Sequence, residues 1–196
     1  MLAAHPSFEA SNPSELIKLA RAQQINFSSP GVGSVHHLAG EYINKLISGK
    51  LVHIGYRGAA PAVTDAVAGH VKLTISGMPP IVPFLQSGEL KAIAATSKSR
   101  APMFRNIPAM AEVNGFGEFD FVNWWGLFAR AGAPTAVLEQ LHNASVDALK
   151  DAQVREVLMI QAAEPIGNTS AEFHEFIGTE AAKYARIVKL TGVTMK

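Results

Sequence analysis

Hydrophobic positions along this chain switch repeatedly between two periods. Leu16, Ile17, Leu19 and Ala20 recur at the spacing of one helical face. They follow Asn12-Pro13-Ser14-Glu15, where Asn12 can cap a helix, Pro13 suits its first position and Glu15 can reach back. Residues 25–28 then read as a strand and 34–48 as a helix. The same alternation predicts strands at 51–56, 71–75 and 90–96, a helix at 61–69 and a short, proline-interrupted helix at 79–88. Strands and helices alternating at this spacing predict an α/β fold with a mostly parallel sheet covered on both faces.

The texture then changes. A stretch rich in Ser, Arg and Pro, SKSRAPMFRNIP, leads to a strand-like run, FDFVNWWGLFAR, at 119–130. After Pro134 the pattern is helical, over about 134–149, 152–163 and 170–190. Asp151 and Thr169 are the expected caps of the last two helices, and Thr169 with Glu172 has the spacing of a capping box. The shift near residue 122 is the best candidate boundary, and the sequence shows no repeat or low-complexity segment.

The first strand-to-helix junction, NFSSPGVGSVHHLAGEY, carries the candidate chemistry. Small residues that break a strand just before a helix leave backbone N–H groups unpaired, and these N–H groups and the helix dipole favour an anion. The plain alternative is a tight turn that holds nothing. A dinucleotide fingerprint fails, because His36 stands where the third glycine belongs and the next strand ends in His53, Tyr56 and Arg57 rather than an acid. No Lys-Ser or Lys-Thr pair follows, so a phosphate-binding P-loop also fails.

Composition narrows the classes further. Of 196 residues 48% are hydrophobic and 17% charged, as expected of a well-buried globular chain. Lys and Arg number 17 against 16 Asp and Glu, with no basic run, which argues against nucleic acid as a partner. Cysteine is absent, so disulfides and thiolate chemistry are excluded. No apolar stretch is long enough to span a membrane as a helix. The opening MLAAHPSFEA lacks the basic start and apolar core of a signal peptide, and read literally keeps the chain in the cytoplasm.

No catalytic set emerges. His36 and His37 are adjacent, so they diverge by about 100° on a helix and cannot share a metal, and Glu41 is the one acid at helical spacing from His37. Ser28, Ser29 and Ser34 lack the strained Gly-x-Ser-x-Gly elbow. Asp65 reads as solvated or capping, and Trp124 and Trp125 as core or as the floor of a site. The sequence thus implies no metal and no cofactor.

Three stretches in order carry a resemblance: NFSSPGVGSVHHLAGEYI, then VHIGYRGAAPAVTDAVAGHV, then LKAIAATSKSRAPMFRNIPAMAEVNGFGEFDFVNWWGLFARAGAP, continued by AEPIGNTSAEFHEFI. The succession resembles the Bug family, the extracytoplasmic solute receptors of tripartite tricarboxylate transporters, over essentially the whole chain. The resemblance implies a two-lobed periplasmic-binding-protein fold of type II with a small carboxylate in the cleft. It implies one complete parallel-rich α/β lobe, the second, over about 8–121. Residues 122–133 would be the return crossing and 134–196 the C-terminal helices of a first lobe whose N-terminal part this chain lacks.

Site residues follow from the same resemblance. The family's ligand loop falls on Ser28, Ser29, Gly31, Gly33, Ser34 and His37, and a second signature on Tyr56, Arg57, Gly58 and Asp65. Ser76 and Gly77 lie where the third strand of the lobe meets the cleft, a place where many members carry Asp or Asn. Pro30, which removes an N–H donor, and Lys72 are further departures. The implied function is non-enzymatic capture of a small organic carboxylate or dicarboxylate, with the transporter's membrane components as partners and the periplasm as location. Apolar faces on the C-terminal helices, with Leu138, Leu141, Val146 and Leu149, imply self-association. Two alternatives stay open: a ligand-sensing regulatory domain of the same fold, and a small α/β enzyme acting on a phosphorylated substrate.

Overall fold

The computed structural model describes residues 1–194. It divides into two compact units, Met1–Asn123 with Arg186–Lys196, and Trp124–Ala185. The first unit is built on five strands, β1 (Leu2–Ala4), β2 (Ile25–Ser29), β3 (Leu51–Gly55), β4 (Leu73–Ile75) and β5 (Lys91–Ala94), in the order β3-β2-β4-β1-β5. Four helices alternate with them: α1 (Pro13–Ala22), α2 (Val35–Ile47), α3 (Ala59–Val67) and α4 (Met78–Ser87).

β2 pairs in parallel with both β3 and β4, whereas β1 is antiparallel to β4 and to β5. Four strands therefore run one way and β1 runs against them, so the expected parallel bias stands within a mixed sheet. β1 escapes a reading by periodicity because its three residues are too few and all fully buried. Ala3 and Ala4 keep it thin. On one face of the sheet, Met1 and Ala3 join Val63, Ala66, Ile81 and Leu90 in a core between strands and the helices α3 and α4.

Local signals act as expected at several ends. Asn12 accepts the Glu15 N–H, while Glu15 reaches back to the Ser11 N–H. Pro83 sits inside α4, whose interior it interrupts without ending the helix before Ser87. The run at 119–130 departs from expectation. Phe119 and Phe121 are buried with tilted rings 4.8 Å apart, and the Phe121 N–H donates to the Thr96 carbonyl. Beyond them, no ladder forms at 122–130 among the described residues. Apolar, β-branched and aromatic residues favour a pleated surface, but a strand also needs a neighbour for its N–H and C=O groups.

The second unit is helical: α5 (Thr135–Lys150), α6 (Ala152–Ile160) and the greater part of α7 (Ser170–Thr191). Asp151 caps α6 by accepting the Gln153 and Val154 N–H groups, and Thr169 with Glu172 forms the expected box. Trp124 packs edge-on against Phe173 and Phe176, at 5.7 and 5.4 Å, so it belongs to an aromatic cluster here. Trp125 is 70% exposed.

One contact fixes how closely α2 lies on the sheet. A Cβ built on Gly40 would stand 2.3 Å from the Phe27 ring, a fully buried side chain of β2. Alanine at that position gains about 1 kcal/mol of helix propensity, and overpacking costs about 1–3 kcal/mol or more. The clash wins. Gly40→Ala is expected to lower the stability of the chain by about 1–2 kcal/mol in urea unfolding, and a variant as stable as wild type would mean that α2 stands off the sheet.

Candidate functional site

Because β2, β3 and β4 are parallel neighbours, their carboxyl ends lie at one edge of the sheet, the place where open α/β sheets bind ligands. Each strand feeds a helix there: β2 through 30–34 into α2, β3 through 56–58 into α3, β4 through 76–77 into α4. Every residue that the sequence nominated lies in or next to these three junctions.

The β2–α2 loop binds itself. The Gly31 N–H donates to Ser29 Oγ at 3.2 Å, and the Gly31 carbonyl accepts both the Ser34 N–H, at 3.2 Å, and the Ser34 hydroxyl, at 2.8 Å. The Gly33 N–H donates to His37 Nδ1 at 3.1 Å, and Ser34 Oγ caps α2 by accepting the His37 N–H at 3.2 Å. Gly33 has a φ of +77°, a left-handed conformation that glycine adopts without strain. Ser28 turns the other way: its fully buried hydroxyl donates to the Ala62 carbonyl at 2.9 Å.

The hydroxyls and glycine amides expected to meet a ligand directly are thus taken up inside the loop. Other amides are presented instead. Among the described residues, no acceptor is paired with the N–H groups of Val32, Val35 and His36 at α2 or of Ala59 and Ala60 at α3. At α4 the Gly77 and Met78 amides are in the same state, but Pro79 and Pro80 supply no N–H.

The second junction is stitched to the first. The Tyr56 N–H donates to the Ser29 carbonyl at 3.1 Å and the Gly58 N–H to the Pro30 carbonyl at 2.9 Å. The Tyr56 hydroxyl donates to Asp65 Oδ2 at 2.6 Å, which gives Asp65 a role in holding this turn. Partial burial, helped by that bond, pushes the Tyr56 hydroxyl up to about 12, so it stays a donor. Arg57 is exposed beside it.

At the third junction Ser76 is fully buried, and its hydroxyl has no partner among the described residues. Its backbone pairs with Met1, whose amino group also donates to Thr96 Oγ1 at 3.1 Å. The space beside Gly77 is bounded by the Asn123 amide, with Nδ2 3.3 Å from where a Cβ would stand, and by His36 Nε2 at 4.0 Å.

Two imidazoles complete the edge. His37 is buried and stacks on His53 with centroids 3.8 Å apart, and His53 Nε2 lies 2.6 Å from Ser29 Oγ. His53 is the residue that a reading along the chain misses. Its signal is in the register: β3 places it directly opposite Phe27, on the face that Ser29 shares. Burial holds His36 down at about 4, and burial followed by the His37 charge does the same to His53. Both are neutral at pH 7. Among the described residues no three His, Asp or Glu side chains are placed to hold a metal, and no helix is long and apolar enough to cross a membrane.

Known proteins are similar to this chain in sequence and fold. BugT of Bordetella pertussis is 31% identical over 177 residues, which are 90% of this chain and 54% of that protein. The solved structure of R. palustris Rpa4515 with adipate superposes with a TM-score of 0.91 at 26% identity, covering 99% of this chain and 65% of that one. MatC from Rhodopseudomonas palustris with bound malate gives a TM-score of 0.82 at 25% identity, over 96% of this chain and 65% of that one. The chain spans about half the length of BugT. The family described as the tripartite tricarboxylate transporter family receptor matches residues 1–193, and this chain belongs to that family.

Proposed function

We propose that this chain is the ligand-binding α/β lobe, with C-terminal helices, of a receptor that captures a small organic carboxylate or dicarboxylate without chemical change. One observation carries the reading: three helix N-termini meet at one sheet edge with unpaired amides, and no Asp or Glu occurs in 29–37, 56–62 or 76–80. Backbone donors and helix dipoles favour an anion there. Bound adipate and malate in two structural neighbours support the same ligand class. Delivery to membrane components of a transporter, and residence in the periplasm, complete the proposal for the whole protein.

Calorimetry with malate and aspartate tests the ligand class. Without an acid at Ser76-Gly77, an ammonium group has no partner, so malate is expected to bind at least as tightly as aspartate; tighter binding of aspartate would overturn the reading. Gly33→Val forces a β-branched residue to a φ of +77° and should reduce malate binding by a hundredfold or more. Ser34→Ala removes a cap, not a ligand contact. It is expected to cost about 1 kcal/mol of stability and to weaken binding several-fold.

Neutral burial of the imidazoles sets the acid response. A base whose folded pKa lies below its ordinary value contributes stability at high pH that is lost as the pH falls. For His36 and His53 the window runs from about 6.5 down to about 4. His36 alone accounts for up to about 3 kcal/mol. Urea midpoints are expected to fall between about pH 6.5 and 4 and to fall less in His36→Gln; a flat profile would mean that the imidazoles are solvated.

The apolar faces of the helical unit extend the proposal to self-association. Leu138 and Leu141 are 37% and 42% exposed, Leu127 and Phe128 more so, whereas Val146 and Leu149 are half-buried near Gly167. Light scattering of this chain should show mass rising with concentration, reduced by Leu127→Ser with Phe128→Ser. A monomer at all concentrations would remove self-association from the reading.

A further inference from the structure

The glycine loop is shaped from beneath by two imidazoles, those of His37 and His53. His37 Nδ1 accepts the Gly33 N–H at 3.1 Å, so this nitrogen is unprotonated and the ring carries its proton on Nε2, which lies 3.7 Å from Glu41 Oε1. The His37 ring rests on the His53 ring at 3.8 Å with planes 21° apart. His53 in turn lies 2.6 Å from the hydroxyl of Ser29, which accepts the Gly31 N–H. Both left-handed or near-left-handed glycines of the loop, Gly31 and Gly33, are therefore tied by their amides to this stack, one through Ser29 and one directly.

We infer that His37 and His53 are positioning residues for the glycine loop, and that a proton on His37 releases it. The step is a simple proton gain. A second proton on His37 can go only to Nδ1, where the Gly33 N–H already points, and two N–H groups cannot face each other at that distance. The bond breaks and Gly33 loses the contact that holds it. The titratable groups facing His37 are Glu41 from its own helix and His53 from β3, while β2 presents Phe27 and Ser29, which do not titrate near neutrality. Glu41 stabilises the imidazolium once it forms. His53, held neutral by burial to about pH 4, acts as a fixed platform through this change. Ligand capture is then weakened by acid, although an added positive charge alone would strengthen the binding of an anion.

The inference takes its ligand class from the carboxylate reading, but its mechanics stand apart, so the test has two arms. The first needs no ligand: heteronuclear NMR of the full chain between pH 8 and 5. The His37 ring should show the Nε2–H tautomer at pH 8. The Gly33 amide should shift and lose at least tenfold in exchange protection, with the same midpoint as the His37 ring. In His37→Asn, whose Oδ1 can accept the same N–H but does not titrate, the Gly33 amide should stay fixed.

The second arm measures adipate binding over the same range. Wild type should lose about tenfold in affinity on acidification beyond the loss in His37→Asn, which shares the ligand's own protonation. His37→Phe should bind weakly at every pH, with His37→Asn restoring part of the loss. His53→Phe, which keeps a ring under His37 but drops the Ser29 bond, should move the Gly31 amide and weaken adipate several-fold. A Gly33 amide indifferent to His37 titration, a His37→Asn variant that follows the wild-type profile, an unmoved Gly31 amide in His53→Phe, or affinity that rises in acid would each overturn the inference. If no carboxylate binds at any pH while both amides behave as described, the carboxylate reading fails and the positioning pair stands.

Discussion

Two parallel ladders on one strand decide the geometry of this molecule. β2 is hydrogen-bonded to β3 on one side and β4 on the other, in the same direction, and so three strands end together. Each must turn back over the sheet through a helix, since parallel strands cannot be joined by a hairpin. Three helices therefore begin side by side, with their unpaired N–H groups aimed at one strip of surface. The site is a consequence of topology before any side chain is chosen. The antiparallel β1, slotted between β4 and β5, completes the sheet without disturbing that edge.

Side chains then decide what the edge is like. At pH 7 His36 and His53 are uncharged and Tyr56 keeps its proton, while Arg57 stands exposed at the second junction. The loops of the edge are also internally satisfied, with the hydroxyls of Ser29 and Ser34 and the amides of Gly31 and Gly33 bonded to neighbours. A surface prepared in this way pays little ordering entropy when something docks on it. The amides left over are those of residues whose side chains gave no signal, such as Val32, Val35 and Ala59.

Much of the fold was legible along the chain because strand and helix periods alternate cleanly and caps such as Asn12, Asp151 and Thr169 use local chemistry. β1 was hidden, since three buried residues have no periodicity. The run at 119–130 misled, since β-forming composition says nothing about whether a partner strand is adjacent. The nominated residues fell at the three junctions, and what the chain did not reveal is how the serines and glycines bond one another there: a hydroxyl beside a helix start is as able to bond its own loop as a solute. His53 lies 24 residues from Ser29 in sequence. Only pairing of β2 with β3 brings them together, and pairing is not written in either strand alone.

The pair of prolines that opens α4 has a further effect on the edge as a whole. At α2 the first turn presents N–H bonds; at α4 the second and third positions present the methylenes of Pro79 and Pro80. From α2 to α4, which follow neighbouring strands, the edge thus runs from hydrogen-bonding to hydrocarbon, a gradient of polarity made by ring closure on two nitrogens. A small molecule with a charged head and an aliphatic tail lies along such a gradient in one sense only. Which way round a solute faces between these two helices is then settled by the backbone.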